Sequence, residues 1–207
     1  MYNAIDYEFR KPTVDHADLR SQYRLWDKKI VLFFGRPGVA KWLDDLIEAI
    51  PQVIAHHSDI HFVLIVPQDT KKTTLIRSTI DESAGNILAD YAEHITHIPW
   101  AKHEVLKDWI QSADLVVLPS HAEGFGFAIA EVCTMDVPLI TTNVSAIPEV
   151  VSGEVMFVEP GSPKQISKKI CEYFDGTAEI EHLPAKKFLW EDTIGNVTQI
   201  YQDLTKN

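Results

Sequence analysis

Cysteine is scarce in this chain. It holds two, Cys133 and Cys171, far apart and in no Cys-x-x-Cys pair. That excludes a disulfide framework and a cysteine-built zinc site, and it suits a reducing compartment. Positive charge is also short: 19 Lys and Arg stand against 30 Asp and Glu, for a net charge of −11. General nucleic-acid binding runs on phosphate neutralisation by basic residues, so this balance argues against that class. An anionic ligand must instead be held by a local basic cluster or a helix N-terminus. No apolar run reaches the ~18–20 residues that span a bilayer. The opening MYNAIDYEFRKP is polar and charged and does not read as a signal peptide. There is no internal repeat and no low-complexity tract. No two aspartates are separated by one residue, so the Asp-x-Asp signature for a divalent ion is absent.

What remains is enough for a core. In 207 residues, 45% are hydrophobic and 24% charged, which suits one domain with decorated ends. Residues 1–28 carry no clear period. After them, short apolar runs alternate with helical stripes: KKIVLFFG, HFVLIVP, HITHIPW, ADLVVLPS, VPLITT and VMFVEP read as strands. WLDDLIEAIPQVIAHH, residues 70–92, His103 to Ser112, Phe125 to Met135, PKQISKKICEYFDG and residues 188–204 read as helices. In the last helix but one, Pro163 falls near the start and Gly176 just past the end. The strands are apolar throughout, not alternating. That predicts an α/β fold, a doubly wound, Rossmann-like parallel sheet of about six strands with helices on both faces. In such sheets ligands bind at the carboxyl ends of the strands.

The loop after the most apolar strand, SHAEGFGFAIAE (residues 120–131), carries the chemistry. Gly124 and Gly126 free the backbone to approach a ligand, and the following helix favours negative charge at its start. Glu123 and Glu131 frame the turn. Three readings fit these residues: a tight turn with two solvated glutamates, a dinucleotide fingerprint, or a nucleotide-diphosphate site. The fingerprint fares poorly, since Ile129 stands where its third Gly or Ala belongs and no acid follows about 20 residues on.

The segment EGFGFAIAE resembles the Glu-x7-Glu motif of retaining glycosyltransferases of family four, which have the GT-B fold of two facing Rossmann-like domains. FFGRPGVAK, ADLVVLPS, VPLITTNVSAIPEVV, FLWEDTIGNVTQIY and YNAIDYEF resemble further family segments, in the family's order. The resemblance implies the C-terminal, donor-binding half of such an enzyme. Residues 1–28 would be an interdomain lead-in and 29–187 the nucleotide-sugar-binding domain. Residues 188–207 would be a helix packing back on an N-terminal domain that is missing here. It implies a hexosyltransferase moving a sugar from a nucleotide-diphosphate-sugar to an acceptor hydroxyl with retention, inactive as this piece alone. Arg36 and Lys41 match the basic pair on the donor diphosphate, and Glu123 the residue facing the sugar hydroxyls. Gly124, Phe125, Gly126 and Phe127 would contact sugar and phosphates through backbone N–H groups. Glu131 would hold the ribose hydroxyls, and Ile98, Pro99 and Trp100 lie where the base is read.

The same resemblance implies a UDP-sugar, with GDP as the alternative, and neither a cofactor nor a metal. The acceptor would be a carbohydrate, glycan or lipid-linked group. Any peripheral membrane association would run through the missing domain. A cytoplasmic location is expected, and no nucleic-acid partner. The other reading of the same fold is a non-catalytic nucleotide-sugar-binding or regulatory domain, or an epimerase-like relative. Several positions depart from the family pattern: Pro67-Gln68-Asp69, Trp42, Thr134-Met135-Asp136 and Ser145-Ala146 stand where it usually has glycine-containing turns. Nine histidines include two close pairs, His57 with His61 and His94 with His97; neither pair shares a helical face, and all are expected at the surface. Phe33, Phe34, Trp109 and Trp190 are expected in the core.

Overall fold

The computed structural model describes residues 3–6, 15–35, 42–66, 82–99 and 101–205. The element order is α1 (His16–Gln22), β1 (Lys29–Phe34), α2 (Trp42–His56), β2 (Ile60–Ile65), α3 (Glu82–Asp90) and, after a short 3-10 turn, β3 (Ile95–Ile98). Next come α4 (His103–Ser112), β4 (Leu115–Leu118), α5 (Phe127–Thr134), β5 (Leu139–Thr142), α6 (Ile147–Val150) and β6 (Gly153–Val158). The chain closes with α7 (Pro163–Phe174), β7 (Glu181–Leu183) and α8 (Trp190–Thr205).

The strands form one seven-stranded sheet in the order β3-β2-β1-β4-β5-β6-β7. All pairings from β3 to β6 are parallel. The expected six parallel strands are therefore present. The seventh, β7, is an antiparallel addition at the edge, paired through Gly153 with Leu183 and Val155 with Glu181. Every residue of β2, β4 and β5 is buried, as strands covered on both faces must be. Phe62, Trp109, Ile30, Leu32 and Leu46 are among the largest fully buried side chains. Burial of one such side chain stabilises by about 1.5–3 kcal/mol.

The order reverses between β1 and β4: the chain builds outward through β2 and β3, then returns to the other side of β1. The crevice at the carboxyl ends of β1 and β4 is the switch point where such sheets bind ligands. The loop that leaves β4, residues 119–126, contains the Gly-rich turn, and the predicted basic pair follows β1 in the sequence.

Two expectations need correction. Trp190 is not core but 55% exposed, at the start of a helix with no buried residue. The histidine pairs are not simply surface groups. His61 is buried beneath edge strand β3, with Nε2 2.8 Å from Thr96 Oγ1. His57 and His94 are largely covered, with side chains 13% and 16% exposed. The cause is tertiary placement: β3 pairs beside β2 and brings Thr96 to His61 and His94 to Ile60 O, while His57 packs edge-on to Phe174 at the end of α7. Phe33, Phe34 and Trp109 are buried as expected.

Helix α1 has no counterpart in the sequence expectation, yet it is firmly docked. Its N-cap Asp15 accepts from Ala17 N–H, and Arg20 reaches the start of β4, donating to Ser112 O and to Asp114 Oδ2 at 3.0 Å. Asp114 also accepts from Ile30 N–H at 2.7 Å, so one carboxylate ties α1, β1 and β4 together.

Candidate functional site

The site is built on the carboxyl end of β4. Two threonines of β5 pin that end: Thr141 Oγ1 donates to Leu118 O at 2.9 Å, and Thr142 Oγ1 donates to Ser120 O. Ser120 is buried, and its hydroxyl donates to Glu123 Oε1 at 3.0 Å. Burial pushes the Glu123 carboxyl up, and the Ser120 bond works against that shift.

Gly126 is the N-cap of α5 with φ of 90°. That left-handed backbone favours glycine and lets the chain turn sharply into the helix. No side chain caps α5. Its first-turn N–H groups thus remain available to an anion. The helix begins at Phe127, two residues later than the sequence suggests, so Glu131 lies just over one turn in. Its carboxylate is 17% exposed and 3.2 Å from His103 Nε2, at the first residue of α4. Burial pushes its carboxyl up and His103 opposes this. Two desolvated carboxylates thus bracket one uncapped helix start. This is an arrangement that holds hydroxyl groups and phosphate together.

The remaining predicted residues fall as follows. Gly124 is exposed, and a Cβ there would meet nothing within 4 Å. Phe125 is buried in a small cluster with Ile5, Ala130, Val150 and Phe188, and Phe127 is 51% exposed beside it. Ile5 N–H donates to Phe188 O at 2.9 Å, so the two ends of the chain meet behind the Gly-rich turn. Ile98 is in the main core and its carbonyl accepts from Val66 N–H, whereas Pro99 is exposed. Arg36, Lys41 and Trp100 lie outside the described residues, as do Pro67, Gln68 and Asp69.

Sequence reasoning missed Ser120, His103 and His121. His121 Nε2 lies 2.6 Å from Asp45 Oδ2 and 3.0 Å from Gly161 N. One nitrogen cannot donate to the carboxylate and accept from an N–H at once, so the bond to the carboxylate prevails. His121 therefore joins the Gly-rich loop to the first turn of α2, beside the start of α7. Ser120 and His121 stand within the loop singled out from sequence, and His103 opens the helix after the third strand's loop. Position alone could have flagged them.

The glycine-pattern departures acquire a physical meaning here. Asp136 has φ of 56° and Ser145 φ of 51°. Both keep a left-handed backbone that glycine adopts at no steric cost. These two positions therefore hold non-glycine residues in a backbone that favours glycine.

A mostly parallel sheet of this order, reversing between β1 and β4, defines a Rossmann-like domain, and the solved structures it resembles are GT-B glycosyltransferases. The chain belongs to the glycosyl transferases group 1 family, whose model matches residues 28–175. It is 26% identical over 200 residues to the capsular polysaccharide biosynthesis glycosyltransferase CapM of Staphylococcus aureus, covering 89% of this chain and 50% of CapM. HepE of Anabaena in complex with UDP superposes with a TM-score of 0.71 at 17% identity, over 86% of this chain and 48% of HepE. The C-terminal domain of a glycosyl transferase group 1 family protein from Francisella tularensis superposes with a TM-score of 0.65 at 22% identity. That match covers 83% of this chain and 88% of the domain. The chain spans about half the length of the relatives it matches. Family and fold are those of a glycosyltransferase.

Proposed function

We propose that this chain is the donor-binding half of a retaining hexosyltransferase that uses a UDP-sugar. The observation that carries the reading is the bracketing of the uncapped α5 N-terminus by Glu123 and Glu131 at the switch point. UDP as the nucleotide is supported by its presence in the similar HepE structure. The half-length match, and the near-complete match to a C-terminal domain, support the division of labour.

In the proposed reaction the helix start and the Arg36–Lys41 pair bind the diphosphate. Glu131 orients the ribose and Glu123 the sugar hydroxyls. The bond from anomeric carbon to phosphate oxygen breaks, and the acceptor oxygen bonds to the same face of that carbon. The departing phosphate takes the acceptor's proton. Negative charge grows on the leaving phosphate, where preorganised cations and N–H groups stabilise it most. A divalent ion has no role in this scheme, since the sequence offers no Asp-x-Asp for one. The acceptor, a glycan or lipid-linked hydroxyl, belongs to the other half of the enzyme, and the reaction is assigned to the cytoplasm.

Titration calorimetry of this chain with UDP, GDP and ADP tests the site and the base together. Binding of UDP in preference to the others is expected, and no binding at millimolar concentration overturns the proposal. In the complete enzyme, Arg36→Ala or Lys41→Ala lowers kcat by on the order of 10²–10³, the cost of one lost charge-stabilising donor. Unchanged kcat in Arg36→Ala, or activity abolished by EDTA and restored by magnesium, would refute the mechanism.

A further inference from the structure

The opposite edge of the sheet carries a second cluster that the donor site does not use. Helix α2 ends at His56, and His57 follows it directly; α7 ends against its C-cap, Asp175. Asp175 presents its two carboxylate oxygens to the two rings separately: Oδ2 is 3.2 Å from His56 Nε2, and Oδ1 is 3.2 Å from His57 Nε2. One ligand atom from each residue lies within 4.8 Å of the other two. The cluster borders an open cavity of about 400 Å³ whose walls include Gln52, Cys171 and Glu172.

His57 Nε2 gives the cluster its meaning. The atom is buried and, despite its 3.2 Å distance from the carboxylate, makes no aligned hydrogen bond. A buried ring nitrogen without a partner is costly, and a hydrogen-bonded ion pair would have turned the ring to align. His56 Nε2, by contrast, is hydrogen-bonded to Asp175 Oδ2, so the carboxylate joins one satisfied ring nitrogen to one that a metal ion would satisfy. Bonds of ~2.0–2.2 Å from a tetrahedral zinc ion to nitrogen and oxygen set ligand spacings of about 3.3 Å. Each ring nitrogen stands at about that spacing from one oxygen of the carboxylate, Oδ2 for His56 and Oδ1 for His57, so a single ion would draw on both oxygens. His56 is 58% exposed and its ring packs edge-on to His57 at 4.7 Å, so a small turn of the ring about its exposed side closes what separation remains.

The surroundings favour a cation. Two helices end here, and the partial negative charge of their last carbonyls adds to that of Asp175. The nearest lysines are committed elsewhere: Lys29 pairs with Asp59 at 2.9 Å, and Lys168 with Glu172 at 3.5 Å. Asp59 also stands 4.0 Å behind His57 Nδ1, on the side where an outer carboxylate orients a metal-bound imidazole. Two imidazoles and one carboxylate suit zinc and its neighbours in the transition series, not magnesium or calcium, which take oxygen ligands.

We propose that His56, His57 and Asp175 bind a divalent transition metal of the zinc class, with water completing the coordination, as a staple between the carboxyl ends of α2 and α7. The site lies at the amino edge of the sheet, away from the donor crevice, and takes no part in sugar transfer. Its role is to fix the two helices whose opposite ends adjoin the loops after β1 and β6.

The test uses the untagged chain, freed of metal by chelation and titrated with Zn²⁺ or with Co²⁺ as its coloured substitute. One ion per chain is expected. Bound Co²⁺ gives the intense visible absorption of low-coordinate cobalt, and Zn²⁺ in hundredfold excess over its Kd raises Tm by about 5–10 °C. Asp175→Asn and His57→Gln abolish the cobalt spectrum and the Tm rise, while His182→Gln, at an exposed histidine outside the cluster, keeps both. Far-UV circular dichroism checks that the variants fold. Mg²⁺ produces no shift. Weak pink cobalt spectra alone, or binding that survives Asp175→Asn, overturns the site.

Discussion

On the proposed function, single residues trade stability for binding, and Glu131 shows it most directly. Burial raises its carboxyl above the ordinary 4.5, so the folded chain holds the proton more firmly than the unfolded one does. A group shifted this way contributes its full stability below its ordinary value and loses it as pH rises through the folded one. At neutral pH the ionised Glu131 therefore opposes folding. Glu131→Gln removes that cost and gives up only a pair with a mostly exposed His103, worth under ~1 kcal/mol. A Tm rise of about 1–3 °C at pH 7 is expected together with weaker nucleotide binding. A fall in Tm would show that the His103 pair outweighs desolvation. The two loop glycines separate in the same way. Gly126→Ala strains a φ of 90° and costs about 1–2 kcal/mol by denaturant unfolding. Gly124→Ala meets open space, leaves Tm within about 1 °C, and weakens only the ligand that its backbone approaches. Asp136→Gly and Ser145→Gly run in the opposite direction: each relieves a left-handed backbone and stabilises by about 0.5–1 kcal/mol, read as a higher urea midpoint.

At the level of elements, legibility followed burial. The central strands are nearly continuous apolar runs because both faces are covered, and so KKIVLFFG, HFVLIVP and ADLVVLPS announce a parallel sheet on their own. The Glu-Gly-Phe-Gly turn was legible too, because its φ demands glycine. Edge elements were not. Strand β7 is Glu181-His182-Leu183, short and mostly exposed, with a single apolar residue and so no pattern to mark it. Helix α1 is held by Arg20 and Asp114, partners 94 residues apart that no local pattern connects. His61 is of the same kind, since only the neighbour strand β3 decides that it is buried. There desolvation, aided by His94 and Lys28, lowers its value from 6.5 to about 4. Its contribution is therefore complete above pH 6.5 and is lost as pH falls toward 4, because the unfolded chain takes up the proton first. After allowance for solvent screening this amounts to roughly 1–2 kcal/mol. Urea midpoints compared at pH 7.5 and 4.5 should drop further in the parent chain than in His61→Gln. Equal drops would remove His61 as the cause.

Across the whole molecule, the last helix stands apart from the body that precedes it. Trp190, Ile194, Tyr201 and Leu204 recur at helical spacing and are 55%, 60%, 67% and 69% exposed. No residue of α8 is buried, so periodicity correctly indicates a helix with an apolar face but says nothing about what covers it. Phe188, just before it, is the opposite case: its ring packs edge-on to Phe125 at 5.1 Å, and its carbonyl accepts from Ile5 N–H. The boundary between what stabilises this chain and what does not thus falls between residues 188 and 190. Removing residues 190–207 should leave Tm within about 2 °C, because the deleted side chains bury nothing in the sheet body. It should also lower any concentration-dependent self-association seen by sedimentation, since an apolar stripe is removed from solvent. Phe188→Ala in the complete chain should instead cost about 3 kcal/mol, the order of a truncated core aromatic, and should disturb the Gly-rich turn that Phe125 anchors. The pairing of the two outcomes is the check: a large Tm loss on truncation would mean that α8 packs on the sheet after all, and an inert Phe188→Ala would mean that Ile5 and Phe188 do not brace the Gly-rich loop.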